Sequence, residues 1–386
     1  MTDENPDKGP LLELRGALDA LDHELLGLLV KRMDVVAEIA AQKRSHRVRI
    51  RDLARERRVL DDRCTRAEEL GLPADSIESV WRQLMLMSRE RQAALRAEVP
   101  PDVDSKTVAI VGGEGGMGRS LNTLFSDLGH QVLSADLETE LRPADAVAQA
   151  DVVIISVPIR QTRDVIEELG PLVRKDALLM DVTSIKADPV AAMMASTKAS
   201  VVGTHPMFGP GVNTYQGQRV VICPGRGDAW LDWARQMFAA RGLVITETTP
   251  SEHDSMMAVV QVLQHFKTQV LGLALSRAGA PLEETLRFTS PAYLLETYVT
   301  GRHFAQAPEL YGPIEMLNPD SPKVIADFQK AAADLARILA DGDQAAFDQV
   351  FAEVRAFFGD FTDEALEQSG FLIDRLVELS AGRSST

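Results

Sequence analysis

Two cations interrupt the apolar stripe of a long N-terminal helical segment, and their spacing indicates an anion-binding site. Apolar residues recur in steps of three and four from Leu14 to Ile39, the period of one helix face. Arg32 and Lys43 stand where two further members of the stripe are expected. They are 11 residues apart, about 20° of rotation, so they share this face. Because a buried unpaired cation costs several kcal/mol, we expect an anionic ligand to meet both.

The next two helical segments also become polar where a helical bundle is most buried. In the second segment, Glu56 occupies one position of the apolar stripe, with Asp52 one turn before it and Arg55 beside it. In the third segment, the stripe continues onto Ser88 and Gln92. The alternative interpretation is a bundle that serves only for oligomerisation, whose basic side chains reach past the core to water.

In order and spacing, these polar residues resemble the active-site set of the all-helical chorismate mutases. The resemblance implies rearrangement of chorismate to prephenate, a pericyclic reaction that needs a compact substrate conformer and stabilisation of charge on the ether oxygen. By the resemblance, Lys43 and Gln92 donate to that oxygen. Glu56 with Asp52 holds the ring hydroxyl. The residues implied to bind the substrate carboxylates are Arg15, Arg32, Arg55 and Ser88.

The position of Arg15 indicates a second chain. Arg15 precedes Arg32 by 17 residues, which turns it about 100° from the shared face and places it roughly 25 Å away along the helix. The first helix, over about residues 11 to 45, is also about twice as long as the second. We therefore expect an intertwined homodimer in which the partner chain contributes Arg15.

A glycine-rich segment follows a short β-branched run and predicts a phosphate-binding turn. Gly113, Gly115 and Gly118 satisfy G-x-G-x-x-G between a predicted strand and a predicted helix. Gly116 and Met117 begin that helix, and phosphate binds at such an N-terminus. The alternative is a glycine turn in some other doubly wound fold.

Asp136 follows the next predicted strand, over 131–135, and indicates which dinucleotide binds. An acid there accepts hydrogen bonds from both ribose hydroxyls and repels a 2′-phosphate, which predicts NAD rather than NADP. Strands and helices continue to alternate, which predicts a mostly parallel sheet. The further predicted strands are 152–156, 178–181, 201–205 and 220–223.

Three strand ends carry side chains suited to chemistry, since ligands of such sheets bind at the carboxyl ends of strands. They contain Ser156, Lys186 and His205. The H-P-M-F-G-P segment that begins at His205 resembles the signature of the prephenate dehydrogenases. The resemblance implies that His205 is the catalytic base, that Ser156 accompanies it, and that Lys186 lies near the cofactor.

The helical region after residue 250 carries two more residues of this resemblance. Arg302 matches an arginine that binds a substrate carboxylate, and His265 matches a histidine near the substrate. Some relatives have an arginine directly after the tyrosine that is Tyr293 here, whereas this chain has Leu294. That departure leaves Arg302 as the stronger carboxylate anchor.

Both halves in this order resemble the bifunctional chorismate mutase–prephenate dehydrogenases. The implied second reaction is an NAD-dependent oxidative decarboxylation of prephenate to 4-hydroxyphenylpyruvate, a precursor of tyrosine. A histidine of near-neutral pKa suits the base that takes the hydroxyl proton. Two alternatives stay open. One is a dehydrogenase for arogenate or 4-amino-4-deoxyprephenate, and the other is a binding protein whose mutase-like bundle only dimerises.

The sequence therefore predicts a multidomain chain, for which 386 residues suffice. The helical patterns near its C-terminus run over 256–278, 322–340 and 344–379. The predicted parts are an all-α three-helix mutase domain (1–98), a linker (99–105), an α/β Rossmann-like NAD-binding domain (106–248) and an all-α dimerisation and substrate domain (249–386).

Composition narrows the partners and the location. A formal net charge of −16 argues against nucleic acid or an anionic membrane as partner. The basic run from Lys43 to Arg58 contains no aromatic residue that could stack on bases. Cys64 and Cys223 give neither a disulfide framework nor a metal pattern. With no signal peptide and no apolar stretch of about 18 residues, the sequence predicts a cytoplasmic protein.

Overall fold

The structure, a computed structural model, describes residues 10–46, 48, 50, 52–95, 104–212 and 214–381. Residues 99–103 of the predicted linker lie outside the described residues. So do residues 1–9 of the predicted mutase domain and residues 382–386 of the predicted C-terminal domain. Across the described residues, three helices come first, strands then alternate with helices, and only helices follow. This is the predicted multidomain fold class, while the domain limits themselves stay predictions.

The N-terminal helices form a bundle of unequal lengths. They are α1 (Pro10–His46), α2 (Leu53–Glu69) and α3 (Ala74–Ala94). Helix α2 begins at Asp52 because the Asp52 carboxylate accepts a hydrogen bond from the Arg55 backbone N–H at 2.9 Å. The 37 residues of α1 span about 55 Å, against about 25 Å for α2.

Only the C-terminal half of α1 is covered within the chain. Of its described residues, Val36 and Ala40 are buried, on the side that packs against α3. The leucines of its first half, from Leu14 to Leu28, keep 57–67% of their surface exposed along the stripe that the sequence predicts to be buried. The single chain therefore leaves the overhanging half of the stripe uncovered.

The middle of the chain builds one sheet, with seven strands among the described residues. The strand order is β2-β1-β3-β4-β5-β6-β7, and neighbours are parallel except for the antiparallel pair β5 and β6. The sequence analysis missed the partly exposed edge strand β7. The strands are β1 (Thr107–Val111), β2 (Gln131–Ala135), β3 (Val152–Ile155), β4 (Leu178–Asp181), β5 (Ser200–Pro206), β6 (Arg219–Arg226) and β7 (Val244–Glu247).

Helices cover both faces of this sheet, which explains why its central strands are continuous apolar runs. One core contains buried residues of α4 and α8, and the other contains buried residues of α5, α6 and α7. All residues of β3 and β4 are buried. The helices are α4 (Gly116–Asp127), α5 (Pro143–Gln149), α6 (Ile159–Leu169), α7 (Ala187–Ser196) and α8 (Asp228–Ala240).

The last part of the chain is helical, as predicted, with two local departures. A π-helical turn (Ala258–Leu263) separates α9 from α10. The predicted helical segment 344–379 is broken at Gly359, whose φ of +53° lies in a region that favours glycine. The helices are α9 (Pro250–Met257), α10 (Gln264–Arg277), α11 (Leu282–Arg287), α12 (Pro291–Phe304), α13 (Pro308–Leu317), α14 (Ser321–Asp341), α15 (Gln344–Phe358) and α16 (Phe361–Ala381).

The described residues group into two compact units. The first unit holds α1 to α3 and most of the sheet region, up to Thr249. The second unit holds the helical part from Pro250 on, together with two short segments that follow strands, Pro158–Arg160 and Ser184–Ala187. No helix in the described part of the chain is long and apolar enough to cross a membrane.

Candidate active sites

Arg32 joins α1 to α3 at the centre of the predicted mutase site. Its Nη1 donates to the Ser88 hydroxyl at 2.6 Å and to the Leu84 carbonyl at 3.1 Å. Burial lowers the pKa of Arg32 from its ordinary value, since it disfavours the charged form. Arginine stays protonated at neutral pH, so the site holds a fixed positive charge next to the Ser88 hydroxyl, which itself donates to the Leu84 carbonyl at 2.6 Å.

Lys43 and Gln92 approach the same region from α1 and α3. The Lys43 ammonium donates to the Ile50 carbonyl at 2.5 Å. Ile50 packs with Ala40 and Ala93 in a small buried cluster, and Ala93 is the neighbour of Gln92 in sequence. These contacts join α1 to α3 at this cluster, and the shared role of Lys43 and Gln92 stays a prediction.

Gln92 has an unsatisfied atom that indicates a ligand. The residue is 6% exposed, and its Nε2 donates to the Ser88 carbonyl at 3.1 Å. Its Oε1 is buried and has no hydrogen-bond partner within the described part of the chain. A buried acceptor without a donor costs about 1–3 kcal/mol. A donor from a bound molecule or from a partner chain would remove that cost.

Of the four remaining predicted mutase residues, Glu56 contacts α3 and the other three are exposed. The Glu56 carboxylate accepts from Nη1 of Arg89 at 2.7 Å, and the sequence analysis assigned no role to Arg89. Asp52 and Arg55 are exposed at the start of α2, where Asp52 caps the helix. Arg15 is exposed on the overhanging half of α1, away from the other residues.

The glycine turn after β1 leaves no room for side chains. Gly112 has a φ of +81°, so the left-handed residue is the glycine before the motif rather than its first member. A Cβ on Gly118 would lie 2.7 Å from Cα of Gly113, and one on Gly113 would lie 3.1 Å from Cα of Ser134. These glycines let β1, β2 and α4 approach closely, and α4 begins at Gly116, followed by Met117.

Asp136 lies at the end of β2 and points toward this turn. Its Oδ2 accepts from the Glu114 backbone N–H at 3.1 Å, and its Oδ1 accepts from the Leu137 N–H at 2.8 Å. An acid fixed beside a glycine turn and a helix N-terminus is the arrangement that binds the adenosine ribose and pyrophosphate of NAD. The residues present therefore fit this cofactor.

His205 and Ser156 end two strands of the same sheet, but not neighbouring ones. His205 is 3% exposed near the end of β5, and half-buried Ser156 follows β3. Strand β4 lies between them, so their backbones are about 10 Å apart. Ser156 instead adjoins the glycine turn, because a Cβ on Gly112 would lie 2.8 Å from the Ser156 carbonyl carbon.

A buried polar cluster surrounds His265 in the helical part, and the sequence analysis missed most of it. Gln269 donates to Glu315 at 2.7 Å and lies 3.2 Å from Nε2 of His303. The Tyr311 ring stacks on His303 with 3.9 Å between centroids and meets His265 edge-on at 4.8 Å. The available signal was an acid, Glu315, inside the otherwise apolar stretch 313–317.

Burial disfavours the charged forms of the groups in this cluster. It lowers the pKa of His265 to about 4, with a further contribution from His303, and it lowers the pKa of His303 as well. Burial also raises the pKa of Glu315, partly offset by the hydrogen bond from Gln269. At neutral pH His265 is therefore a neutral imidazole, suited to hydrogen bonding rather than to holding a carboxylate by charge.

Arg302 supplies a permanent charge beside that cluster. It is exposed on α12, close enough to Tyr311 for its charge to lower the phenol's pKa, although burial dominates and raises that pKa overall. Leu294, at the position where some relatives have arginine, is 7% exposed on the same helix. A buried apolar residue at that position serves packing, and the role of Arg302 as carboxylate anchor stays a prediction.

Lys186 precedes α7 and is fully buried. Its backbone N–H donates to Oδ1 of Asp254 at 2.7 Å, and the Ala187 N–H donates to Oδ2 at 2.9 Å. The buried imidazole of His253 also meets Asp254, at 2.8 Å. These hydrogen bonds hold the pKa of Asp254 below its ordinary value despite its burial, so the carboxylate caps α7 in its charged form.

Family models and known relatives match the chain in the same order as these sites. The chorismate mutase type II model matches residues 14–93, the nucleotide-binding domain of prephenate dehydrogenase matches 123–247, and its dimerization domain matches 249–353. The T-protein of Haemophilus influenzae is 34% identical, covering 96% of this chain and 98% of its own. The T-protein of Enterobacter agglomerans is 36% identical, covering 94% and 97%.

A solved structure supports the fold of the dehydrogenase half. Prephenate dehydrogenase from A. aeolicus, in complex with hydroxyphenyl propionate and NAD+, superposes with a TM-score of 0.56 at 20% identity. It covers 66% of this chain and 98% of its own. With relatives at least 34% identical over nearly all of both chains, this chain belongs to the T-protein family, the bifunctional chorismate mutase–prephenate dehydrogenases.

Proposed function

We propose that each activity of this bifunctional, NAD-dependent enzyme of tyrosine biosynthesis depends on its own residue set. The mutase set lies on α1, α2 and α3, and the dehydrogenase set lies on the sheet and the C-terminal helices. The observation that carries this proposal is that one chain contains two separate sets of polar residues. One is a partly buried group of two cations and an amide, and the other is a glycine turn that faces an acid, with a buried histidine in the same sheet. Each set matches the needs of one reaction.

In the mutase reaction, the proposed roles follow from charge and position. Arg32, with Ser88, binds a carboxylate of chorismate. Lys43 and Gln92 donate to the ether oxygen as charge develops there, which is the largest contribution that a protein makes to such a step. The unsatisfied buried oxygen of Gln92 is an acceptor, so it supports a donor group of a ligand near this position and not the ether oxygen itself. Glu56 and Asp52 hold the ring hydroxyl, and Arg55 adds positive charge at the rim.

We propose that the mutase site is completed by a second copy of this chain. The exposed leucines on the overhanging half of α1 support an intertwined homodimer, because water contact over such a stripe is unfavourable. Arg15 lies on the same half and would reach the partner's site. Within one chain, Arg15 lies roughly 25 Å along the helix from Arg32, at a rise of about 1.5 Å per residue.

In the dehydrogenase reaction, the protein binds the cofactor, orients the substrate and accepts a proton. Gly113, Gly115 and Gly118 let the backbone approach the pyrophosphate, and Asp136 accepts from the ribose hydroxyls. NAD, when bound, accepts the hydride from the ring carbon that bears the hydroxyl.

His205 takes the hydroxyl proton as that carbon is oxidised, and loss of carbon dioxide makes the ring aromatic. Arg302 binds a substrate carboxylate without titrating, and His265 offers a neutral hydrogen-bonding group. The position of Ser156 beside the glycine turn supports contact with the cofactor or the reacting hydroxyl rather than with the His205 ring. Lys186 stays the proposed lysine near the cofactor.

One assay tests both activities and their order. Enzyme mixed with chorismate and NAD should form NADH after a lag during which prephenate accumulates, whereas added prephenate should give NADH without the lag. Measured kcat/KM on prephenate, arogenate and 4-amino-4-deoxyprephenate then identifies the preferred substrate. NADH from prephenate but none from chorismate would leave the mutase bundle as a dimerisation module. The cytoplasmic location stays a prediction from sequence.

A further inference from the structure

The ion pair between Arg89 and Glu56 lies inside the proposed mutase site, yet no role above uses Arg89. Nη1 of Arg89 lies 2.7 Å from Oε1 of Glu56, and the two side chains are only 17% and 20% exposed. The pair joins α3 to α2 across 33 residues of sequence. Ser88, the direct neighbour of Arg89, accepts from Arg32 at 2.6 Å. The pair therefore borders the carboxylate-binding group.

Charge explains why an arginine is useful at this position. Chorismate is a dicarboxylate, so Arg32 and Lys43 attract it, while the carboxylate of Glu56 repels it. In a partly buried site such repulsion is weakly screened. The Arg89 guanidinium, paired with Oε1 of Glu56, cancels most of the repulsion between the Glu56 carboxylate and the substrate. The Glu56 carboxylate remains available as a hydrogen-bond acceptor for the ring hydroxyl.

Arg89 also fixes the orientation of the Glu56 carboxylate. A free glutamate side chain explores several rotamers, and fixing it costs conformational entropy. A charge-assisted hydrogen bond from α3 fixes the orientation of the carboxylate before the substrate arrives. Arg91 is an exposed residue on the same helix, two positions further on, for which no partner is described. It therefore provides a matched control.

We propose that Arg89 is a positioning residue of the mutase site, which orients Glu56 and cancels its charge toward the dicarboxylate substrate. This inference rests on the proposed mutase role of Glu56. It differs from a purely structural clamp between α2 and α3, which would act on stability and not on the binding of a dianion.

The first test compares Arg89→Gln, Arg89→Lys and the control Arg91→Gln in the full-length enzyme. Arg89→Gln should lower mutase kcat/KM on the order of tenfold, mainly through a higher KM, because ground-state binding of the dianion is weakened. Arg89→Lys keeps the charge and should stay within about threefold of wild type. Arg91→Gln should match wild type, and all three should keep their dehydrogenase kcat/KM on added prephenate.

The second test is a double-mutant cycle with Glu56→Gln, which removes the charge but keeps the side chain's shape. If Arg89 acts through Glu56, adding Arg89→Gln to Glu56→Gln should change mutase kcat/KM by less than about twofold. Additive effects, or a lowered thermal midpoint with unchanged KM, would overturn the inference in favour of a clamp. A wild-type enzyme that does not convert chorismate would instead refute the proposed function itself.

Discussion

The mutase helices and the sheet region differ in how far a single chain completes them. Val108, Ala109 and Ile110 of β1 are fully buried between two helical layers of the same chain. Leu14 to Leu28 of α1, although as apolar, keep more than half of their surface exposed. The sheet therefore has its core within one chain, whereas the mutase bundle leaves half of its longest helix uncovered.

This difference separates the two activities in physical terms. Burying a leucine contributes about 1.5–3 kcal/mol, so covering the stripe of α1 from a second chain yields a large association free energy. The dehydrogenase residues on the sheet rely on a core that is already formed. In the proposed intertwined homodimer, the mutase residues rely on a helix whose exposed half is covered by a second chain. Substitutions should therefore separate the activities, and only the mutase should depend on complementation between chains.

The largest expected effect is at His205, in the self-contained half. His205→Asn keeps a hydrogen-bonding group but cannot accept the proton, so dehydrogenase kcat/KM should fall by roughly 10²- to 10⁴-fold. An acidic limb of the wild-type pH profile that reports protonation of His205 should vanish from the remaining activity. Steady-state rates across pH measure both effects, and NAD binding and mutase activity should persist. If the variant kept both the wild-type rate and the acidic limb of the pH profile, His205 would have a structural role and not that of the base.

The next effect is at Lys43, in the mutase half. Lys43→Ala removes a donor to the ether oxygen, and chorismate disappearance should slow on the order of a hundredfold or more. NADH formation from added prephenate should stay within about twofold of wild type, since Lys43 belongs to the mutase set and has no role in the proposed dehydrogenase set. Parallel assays on the same preparation measure both rates. If both activities fell together while circular dichroism showed an intact fold, the separation of the two sites would be wrong.

A hybrid dimer tests the comparison directly. Arg15→Ala and Lys43→Ala should each be mutase-inactive, but a re-annealed equal mixture should recover about a quarter of wild-type activity. Half of the dimers are hybrids, and one of their two sites has every residue. Differently tagged chains would show that subunits exchanged. Exchange without recovery would mean that Arg15 acts within its own chain or not at all.

The smallest effect concerns His265. Because its folded-state pKa is about 4 against an ordinary 6.5, the unfolded chain binds a proton between these values that the folded chain does not. Stability should therefore fall as pH drops through this window, by up to about 2 kcal/mol between pH 6.5 and 5. His265→Gln should remove that part of the loss in urea unfolding at the two pH values. The same pH dependence in wild type and variant would contradict a buried neutral imidazole.

Periodicity and capping made the helices that carry the mutase site predictable. The predicted first helix, about 11 to 45, agrees with Pro10–His46 because the apolar stripe is long and regular. The turn at the glycines was also predictable, except that the positive φ belongs to Gly112. Edge strand β7 has only four residues, three of them exposed, and its apolar pattern is too short to distinguish it from a loop.

Residues that tertiary packing brings together were harder to predict. Gln269, His303 and Glu315 span 46 residues, and only the packing of α10, α12 and α13 makes them one cluster. Arg89 lies in the charged run 89–91, which in isolation is typical of a solvated helix face. The position of β4 between Ser156 and His205 also followed from strand order, which the spacing of motifs does not reveal.

The cap that Asp254 places on α7 has a consequence for the exchange of modules between relatives. A gene fusion joined at residue 249 would take the carboxylate from one parent and the two N–H groups of Lys186 and Ala187 from the other. The segment that a gene fusion exchanges is thus not the same as the compact unit of the structure, which also includes Ser184–Ala187. A chimera that transplants the helical part should carry residues 184–187 with it, so that helix and cap keep the same ancestry.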